Sequence, residues 1–483
     1  MILSELSTYE SLSERELAQS IKAIELQLSY LQRQIADNDI PVFILIDGLS
    51  TAGKSACIGH LVQAFDPRFY RVASGLKKKD QISWLQPFWD ANPAKGTISF
   101  FDRSWYRMAF RKELAAEGSG CNYFDEAVEF EKKHLLNGAL VIKIFLHISK
   151  DTQAERLQIL KADKKLAWRV DKHDFEQNKN FDKYQHAANE MIERSDFSQS
   201  SWNIIPADNP SYAFLKASEC LVKAMTDFMS ERKQDLAISS SLSDCAIPKR
   251  PALQSSDISK KDYEKQLPKL QQRLQELSYK LYKKKRSAII MFEGWDAAGK
   301  GGAIKRLLRF VDPRNYRVCP IAAPSSLDKR HHYLWRFWTQ FPDLGNLLIF
   351  DRSWYGRVLV ERVEGFCSED EWQRAYDEIA LTEKHLVKEG VIVIKFWLDI
   401  DKEIQKERFD LRLKTSHKSW KITDEDWRNR EKWDEYDDAI NEMIFRTSRK
   451  GAKWNVIEGN NKKYARIQVL QQTIKAFEKA LDS

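Results

Sequence analysis

The fold of this chain is indicated most clearly by the stretch Glu293-Gly-Trp-Asp-Ala-Ala-Gly-Lys-Gly-Gly302. It follows the apolar run Ser287-Ala-Ile-Ile-Met-Phe292 and precedes Ala303-Ile-Lys-Arg-Leu-Leu-Arg-Phe310, an order that predicts a strand, a glycine-rich loop and a helix. Loops of this kind surround phosphate oxygens with backbone N–H groups, and the helix N-terminus and the lysine add positive charge. The sequence therefore predicts a phosphate-binding loop around Lys300 that is built from Gly294, Ala298, Gly299, Gly301 and Gly302.

The loop departs from the strict phosphate-loop pattern at one position. Gly301 stands where a serine or threonine usually follows the lysine. Because that hydroxyl often holds Mg²⁺, another group has to take its place. Asp296, inside the loop, is the side chain that we expect to do so.

The whole unit occurs twice along the chain. Lys54, in the loop Gly48-Leu-Ser-Thr-Ala-Gly-Lys-Ser55, lies 246 positions before Lys300. Phe101-Asp-Arg-Ser-Trp-Tyr106 recurs as Phe350-Asp-Arg-Ser-Trp-Tyr355. Strands that alternate with helices and follow this loop predict an α/β fold of two tandem P-loop units, each with a mostly parallel sheet flanked by helices and a helical lid.

The repeat and a change in composition predict the domain boundaries. Residues 237–260 are rich in serine, contain Pro248 and Pro251 and show little periodicity, which is typical of a linker. We therefore expect a first domain over 1–236 and a second over 261–483, with the lid at about 405–435.

A second motif supports the loop. Leu347-Leu-Ile-Phe350 predicts a strand that ends at Asp351 and Arg352. An aspartate in this place is the usual partner of a phosphate loop and holds Mg²⁺ directly or through water, while the arginine can reach a phosphate at the point of transfer. We expect the catalytic residues to be Asp296, Lys300, Asp351 and Arg352, with the two aspartates as metal ligands.

Basic residues follow both motifs. The groove that we expect for a chain of phosphates follows the loop, and its members are Lys305, Arg306, Arg309, Arg314, Arg317, Lys329, Arg330 and Arg336. A pocket for ATP alone would need fewer charges. The charged, aromatic stretch from 408 to 433 predicts the lid, whose cations are Arg412, Lys421, Arg428 and Arg430; the alternative is an amphipathic helix with surface ion pairs.

Composition excludes several classes of protein. The 483 residues carry a net charge of +8, which favours a polyanionic partner, but no nucleic-acid recognition motif is present. Six cysteines without a CxxC pair predict reduced thiols in the cytoplasm and no zinc site. Since no apolar run approaches about 18 residues, we expect no membrane span.

The first copy lacks charges that the second copy has. Ser50 stands at the position of Asp296, Pro87 at that of Arg336, Glu176 at that of Arg428 and Asn178 at that of Arg430. We therefore expect the first half to be a degenerate copy with a structural or phosphate-binding role, and catalysis to belong to the second half.

These motifs resemble the family-2 polyphosphate kinases. The resemblance rests on Gly294 to Gly302, on Phe350-Asp-Arg-Ser-Trp-Tyr-Gly-Arg-Val-Leu-Val-Glu-Arg-Val-Glu-Gly-Phe366 and on Trp420-Lys421 with the following charged stretch. It is strong over 263–470 and weak over the first half, and the two-copy layout resembles the fused subgroup of the family.

The resemblance implies a thymidylate-kinase-like core and transfer of a terminal phosphoryl group from inorganic polyphosphate to AMP, giving ADP, with Mg²⁺. It implies that Lys300 and its loop hold the donor, that Asp296 and Asp351 hold Mg²⁺ or position the acceptor, and that Arg352 stabilises the transferring group. It also places Arg357 and Glu361 at the nucleotide.

Two other functions remain open at this point. An ATP-dependent nucleoside monophosphate kinase would use the same loop, Asp-Arg pair and lid, so only the donor separates it from the first interpretation. A polyphosphate- or nucleotide-binding protein without turnover is the second alternative. Acceptors beyond AMP, and assembly into a homodimer, are also left open.

Overall fold

The computed structural model describes residues 14–75, 80–115, 123–231, 247–251, 257–415 and 424–482. The chain forms two compact units, Met1–Lys77 with Pro87–Ala237 and Ser326–His332, and Lys78–Gln86 with Ile238–Ser325 and Tyr333–Ser483. Each unit thus includes a short segment from the other half of the sequence. In the second unit, for example, the Leu344 N–H donates to the Asp80 carbonyl at 2.8 Å. The predicted linker lies mostly outside the described residues, and the predicted boundaries stay a prediction.

The first unit contains a five-stranded parallel sheet in the order β2-β3-β1-β4-β5. Its strands are β1 (Val42–Gly48), β2 (Tyr70–Ala73), β3 (Ile98–Asp102), β4 (Leu140–His147) and β5 (Trp202–Pro206). The helices in this part of the chain are α1 (Glu14–Asp37), α2 (Lys54–Leu61), α3 (Gln86–Asp90), α4 (Trp105–Ala115), α5 (Tyr123–Leu136), α6 (Lys150–Ala162), α7 (Lys172–Lys179), α8 (Phe181–Ser195) and α9 (Pro210–Glu231).

The second unit contains the matching sheet, in the order β10-β9-β6-β8-β7. Its strands are β6 (Ala288–Gly294), β7 (Tyr316–Pro320), β8 (Leu347–Asp351), β9 (Ile392–Asp399) and β10 (Trp454–Glu458). The helices are α10 (Lys260–Lys283), α11 (Lys300–Leu307), α12 (Trp335–Trp338), α13 (Val360–Val363), α14 (Glu369–Lys388), α15 (Lys402–Leu413), α16 (Asp424–Glu431), α17 (Trp433–Thr447) and α18 (Lys462–Asp482).

The central strands explain why the sheets are parallel. β1 is buried along its whole length and β6 along all but its last residue, because helices cover both faces of each sheet. Their sequences are therefore continuous apolar runs, without the alternation of a strand that has one wet face. These two sheets confirm the predicted α/β class.

The strand register brings the two motifs of the second half together. β6 pairs with β8 so that Phe292 lies opposite Asp351, and β6 pairs with β9 so that Gly294 lies opposite Leu398. The loop after β6 and the Asp-Arg pair after β8 therefore emerge at the same edge of the sheet, where ligands of parallel sheets bind.

Among the helices described above, none combines the length and the apolar composition needed to span a lipid bilayer.

Candidate active site

The backbone of the loop after β6 turns sharply, and its glycines allow the turn. Gly294 has a φ of +148°, and a Cβ built there would lie 2.4 Å from the Leu398 carbonyl oxygen, so no other residue fits. Gly299 has a φ of +113° and immediately precedes α11. Ala297 adopts a φ of +61° although it has a side chain, which shows local backbone strain. The loop thus closes around the N-terminus of α11.

Lys300, the first residue of α11, folds back over this loop. Its Nζ donates to the carbonyls of Gly294 at 2.6 Å and Trp295 at 3.3 Å. Burial lowers the pKa of Lys300, and the charges of Asp296 and Asp351 partly offset that effect. A phosphate beside Lys300 would add further negative charge and favour the protonated amine.

Asp296 is held between the Asp-Arg motif and α16. Its Oδ1 accepts from Arg352 Nη2 at 3.1 Å, and its Oδ2 accepts from Asn429 Nδ2 at 3.1 Å. Burial raises the pKa of Asp296, but the charges of Lys300 and Arg352 outweigh burial and lower that pKa below its usual value. Asp296 is therefore a carboxylate. Sequence reasoning missed Asn429, because nothing in its neighbourhood predicts a contact with the loop.

Arg352 and Asp351 occupy the end of β8 as predicted. Arg352 has a φ of +65°, and its backbone N–H donates to the Phe292 carbonyl at 3.0 Å, which ties it to the strand before the loop. The charge of Asp351 acts on the pKa of Lys300 together with that of Asp296, so both carboxylates act on the same amine. The four predicted catalytic residues are thus brought together.

Glu293, the last charged residue of β6, is a further member that sequence reasoning missed. Its Oε1 accepts from the backbone N–H of Ser353 at 2.7 Å and from Ser353 Oγ at 2.8 Å. It therefore joins the loop motif to the Asp-Arg motif. Burial raises its pKa to about 7. An acidic residue at the end of an otherwise apolar strand was the available signal.

Two of the predicted lid cations, Arg428 and Arg430, bond to side chains of the second unit. Glu364, whose side chain is 5% exposed, pairs with Arg428 at 3.1 Å and with Lys432 at 3.4 Å. Arg430 Nη1 donates to Gln405 Oε1 at 3.2 Å on α15. Arg412 lies at the end of α15, and Lys421 lies outside the described residues. Two described lid side chains contact Asp296: Asn429 Nδ2 donates to its carboxylate at 3.1 Å, and Gln405 Nε2 donates to its backbone carbonyl at 3.2 Å.

The remaining predicted residues lie on α11, on α12 and in the helical turns after β8. Lys305 is exposed on α11, Arg306 Nη1 donates to the Gly302 carbonyl at 3.2 Å, and Arg336 Nη2 donates to that of Ala322 at 3.1 Å. Arg357 Nε pairs with Glu361 at 3.2 Å. The arginine also lies 4.7 Å from the centre of the Tyr333 ring. Arg357 and Glu361 therefore act as a pair.

The equivalent loop of the first unit is filled by its own side chains. Ser50 Oγ donates to Asp174 Oδ1 at 2.5 Å, and the Ser50 backbone N–H donates to Gln177 Oε1 at 2.6 Å. Arg107 stands where the second half has Gly356, and its Nη1 donates to the Gly48 carbonyl at 2.5 Å. Burial and the charge of Arg107 lower the pKa of Lys54 to about 7.

Comparison with known proteins gave matches over both halves. The profile of the family described as Polyphosphate kinase 2 matches residues 11–233 and 257–482. A polyphosphate:AMP phosphotransferase of Pseudomonas aeruginosa is 38% identical over 472 residues, which are 95% of each chain. One of Acinetobacter johnsonii is 34% identical over 487 residues, 98% of each. A crystallised Pseudomonas aeruginosa chain described as polyphosphate kinase 2 superimposes with a TM-score of 0.83, at 33% identity, over 99% of both chains.

Proposed function

The chain belongs to the polyphosphate kinase 2 family, and we propose that it is a polyphosphate:AMP phosphotransferase that moves the terminal phosphoryl group of inorganic polyphosphate onto AMP. One observation carries the assignment of the chemistry to the second half. There, Asp296 within the phosphate loop forms a 3.1 Å ion pair with Arg352, and the charges of Asp296 and Asp351 act on Lys300. Relatives that match nearly the full length carry the same activity in their names.

The loop and its flanking cations hold the donor. Backbone N–H groups of Gly299 to Gly302 and the Lys300 amine bind the terminal phosphates, whereas the Ala298 N–H, which we also expected to do so, donates to the Trp295 carbonyl at 3.1 Å. A polyphosphate chain needs more cations than a triphosphate does. Lys305 and Arg306 lie on α11, which begins at the loop, and Arg336 donates to the Ala322 carbonyl after β7; together they supply the positive surface for the chain of phosphates. Binding there neutralises charge that would otherwise repel the acceptor phosphate.

Transfer is a direct in-line displacement. An oxygen of the AMP phosphate bonds to the terminal phosphorus while the bond from that phosphorus to the bridging oxygen breaks, so ADP forms and the polyphosphate shortens by one unit. Arg352 stabilises the charge on the equatorial oxygens, and no covalent step on the protein is needed. The lid cations Arg412, Arg428 and Arg430 close over the site and exclude water.

Asp296 and Asp351 are the residues that would hold Mg²⁺. Their charges act on the same amine, and Mg²⁺ takes one or two carboxylates from a protein when waters and substrate phosphates complete its shell. Bound there, the ion would supply charge neutralisation on the transferring phosphates. Arg357 and Glu361, with Tyr333 against the guanidinium, form the surface that we assign to the nucleotide.

The test is a donor comparison with the intact chain. ADP formation is measured from AMP and Mg²⁺ with polyphosphate and no ATP, and in parallel with ATP and no polyphosphate. Turnover with polyphosphate alone supports the proposal. Turnover only with ATP would make the chain an ordinary nucleoside monophosphate kinase, and binding of both substrates without turnover would make it a binding protein. A cytoplasmic location, a homodimer and the absence of nucleic-acid binding stay predictions.

A further inference from the structure

Arg250, in the segment that sequence reasoning took for a linker, contacts the framework behind the phosphate loop. Its Nε donates to Asp399 Oδ2 at 2.7 Å and its Nη2 to Asp399 Oδ1 at 3.1 Å. Its Nη1 pairs with Asp437 at 2.6 Å, and its backbone N–H donates to Asn441 Oδ1 at 3.0 Å. Asp399 ends β9, and the other two residues lie on α17. One arginine thus joins a strand end to the helix that follows the lid.

Asp399 in turn holds a residue of the loop. Its Oδ1 accepts from Trp295 Nε1 at 2.9 Å, and Trp295 lies between Gly294 and Asp296. The Trp295 carbonyl accepts from Lys300 Nζ at 3.3 Å. A displacement of this tryptophan would therefore move both the predicted metal ligand and the phosphate-binding lysine.

Trp295 also connects the loop to the base of the lid. Its ring stacks on that of Trp433, the first residue of α17, with centroids 3.6 Å apart and planes at 4°. α16, which carries Arg428 and Asn429, ends just before this helix. The stacked pair therefore fixes the distance between the loop and the base of the lid.

The buried carboxylate of Asp399 needs the positive charge of Arg250. Asp399 is 2% exposed, and a buried carboxylate without a cation is costly. Burial lowers the pKa of Arg250, but its bonds to Asp399 and Asp437 outweigh burial and raise that pKa, so the guanidinium stays charged. Its fork geometry matches the two oxygens of Asp399 in a way that lysine cannot reproduce.

The first half keeps one of these partners, since Asn189 stands at the position of Asn441, and lacks the charged and aromatic ones. His147 stands at the position of Asp399, Leu49 at that of Trp295 and Phe181 at that of Trp433. The bond between Asp399 and Trp295 therefore has no counterpart at the equivalent positions, His147 and Leu49, so it is not part of a framework that both units need.

We propose that Arg250 is a positioning residue for phosphoryl transfer. Through Asp399 and Trp295, it fixes the positions of Lys300 and Asp296 relative to each other and to the lid. The proposal rests on the function proposed above. The Arg250 proposal goes beyond that function because it assigns the segment before the second half a role in aligning the reacting groups.

Kinetics of Arg250→Ala and Arg250→Lys test the proposal, with Arg273→Ala as the control. Arg273 pairs with Glu478 at 2.7 Å between α10 and α18, away from the loop. Because misplacement of reacting groups by about 1 Å costs on the order of 100-fold, we expect Arg250→Ala to lower kcat about 10- to 100-fold with KM for polyphosphate changed less than about threefold. Arg250→Lys should recover part of the loss, and Arg273→Ala should match the wild type.

A double-mutant cycle separates alignment from general destabilisation. Trp295→Phe removes the donor to Asp399, so Arg250→Ala combined with it should lower kcat no further than the worse single variant. Additive losses, or equal losses in Arg250→Ala and Arg273→Ala, would overturn the proposal.

A spectroscopic readout decides the proposal even without turnover. Two stacked indoles give an exciton couplet in far-ultraviolet circular dichroism, and Trp433→Phe identifies the part due to this pair. The folded Arg250→Lys variant should weaken that couplet, while Arg273→Ala should leave it unchanged; an unchanged couplet in Arg250→Lys would contradict the proposal. Wild-type activity with ATP alone would overturn the donor assignment and still allow the same kcat comparison.

Discussion

The two phosphate loops of the chain share a backbone and differ in what surrounds it. Gly48 and Gly294 have φ values of +150° and +148°, and Thr51 and Ala297 have values of +58° and +61°. The first loop even has the serine after the lysine that the strict pattern requires, and the second lacks it. The backbone alone therefore does not identify the half that performs chemistry.

The side chains around each loop do separate them. In the second unit, Asp296 is a carboxylate between Arg352 and Asn429. In the first, Ser50 bonds to Asp174, and Arg107 replaces the glycine that would leave the site open. A phosphate loop can act as a transfer site when acidic and basic side chains both lie beside it. The first loop keeps the backbone conformation, but side chains of its own unit bond to it instead.

A shared pair shows what both units need for folding. Lys143 pairs with Glu131 at 3.0 Å and Lys395 with Glu383 at 2.7 Å, all four side chains being buried. Breaking such a pair leaves an uncompensated charge and costs about 3–5 kcal/mol. Both units therefore retain this buried pair, whereas the loop aspartate of the second unit, Asp296, is replaced by Ser50 in the first.

The largest expected difference between the halves is at the loop lysines. Lys300→Ala should lower kcat for ADP formation by about 1,000-fold, the scale of losing a major electrostatic stabiliser. Lys54→Ala should stay within about threefold of the wild type. Steady-state rates with polyphosphate and AMP measure both, and equal losses would show that both loops turn over.

The next difference is at the arginines after β3 and β8. Arg352→Ala should lower kcat by about 100-fold, because it removes charge from the transferring group. Arg103→Ala, in the same left-handed backbone conformation at φ +78°, is the matched control and should change kcat by less than about threefold. A comparable loss in Arg103→Ala would contradict the assignment.

A smaller effect is expected in the lid. Arg428→Glu introduces the residue that the first half has at this position, Glu176, and should lower kcat about tenfold because it repels Glu364 and the donor phosphates. The reverse exchange, Glu176→Arg, should leave kcat unchanged. The comparison would fail if the two exchanges had the same effect.

The smallest effect concerns pH and Glu293. Its pKa rises from 4.5 to about 7 on folding, so the folded state binds more protons than the unfolded state in that window. Glu293 therefore makes the free energy of unfolding fall as pH rises from 4.5 to 7, by at most about 1.4 kcal/mol per pH unit. In urea unfolding across this range, the slope of the free energy of unfolding against pH should be more positive in Glu293→Gln than in the wild type. An unchanged dependence would contradict the raised pKa.

Features carried by contiguous residues could be predicted from the sequence. The repeat, the parallel sheets, the loop and the Asp-Arg pair at a neighbouring strand end follow from local patterns, and the structure confirms the fold. Arg107 was also visible, since it directly follows the shared motif where the repeat has Gly356.

Features that depend on long-range pairing could not be predicted. Asn429 contacts Asp296 from 133 positions away, and Arg250 contacts Asp399 from 149 positions away. The sequence shows that such side chains are polar, but the partner is decided by tertiary packing. Arg250 was hidden further because proline and serine around it are typical of a linker.

The most direct measurement is ADP formation from AMP, Mg²⁺ and polyphosphate without ATP, for the intact chain, Asp296→Asn and Ser50→Ala. The two substitutions change the same position in the two loops. The ratio of the ADP formation rates of the two variants therefore tests which half performs the transfer. We predict turnover in the intact chain and in Ser50→Ala, and its loss in Asp296→Asn. Turnover that survives Asp296→Asn, or that is lost equally in Ser50→Ala, would contradict the account.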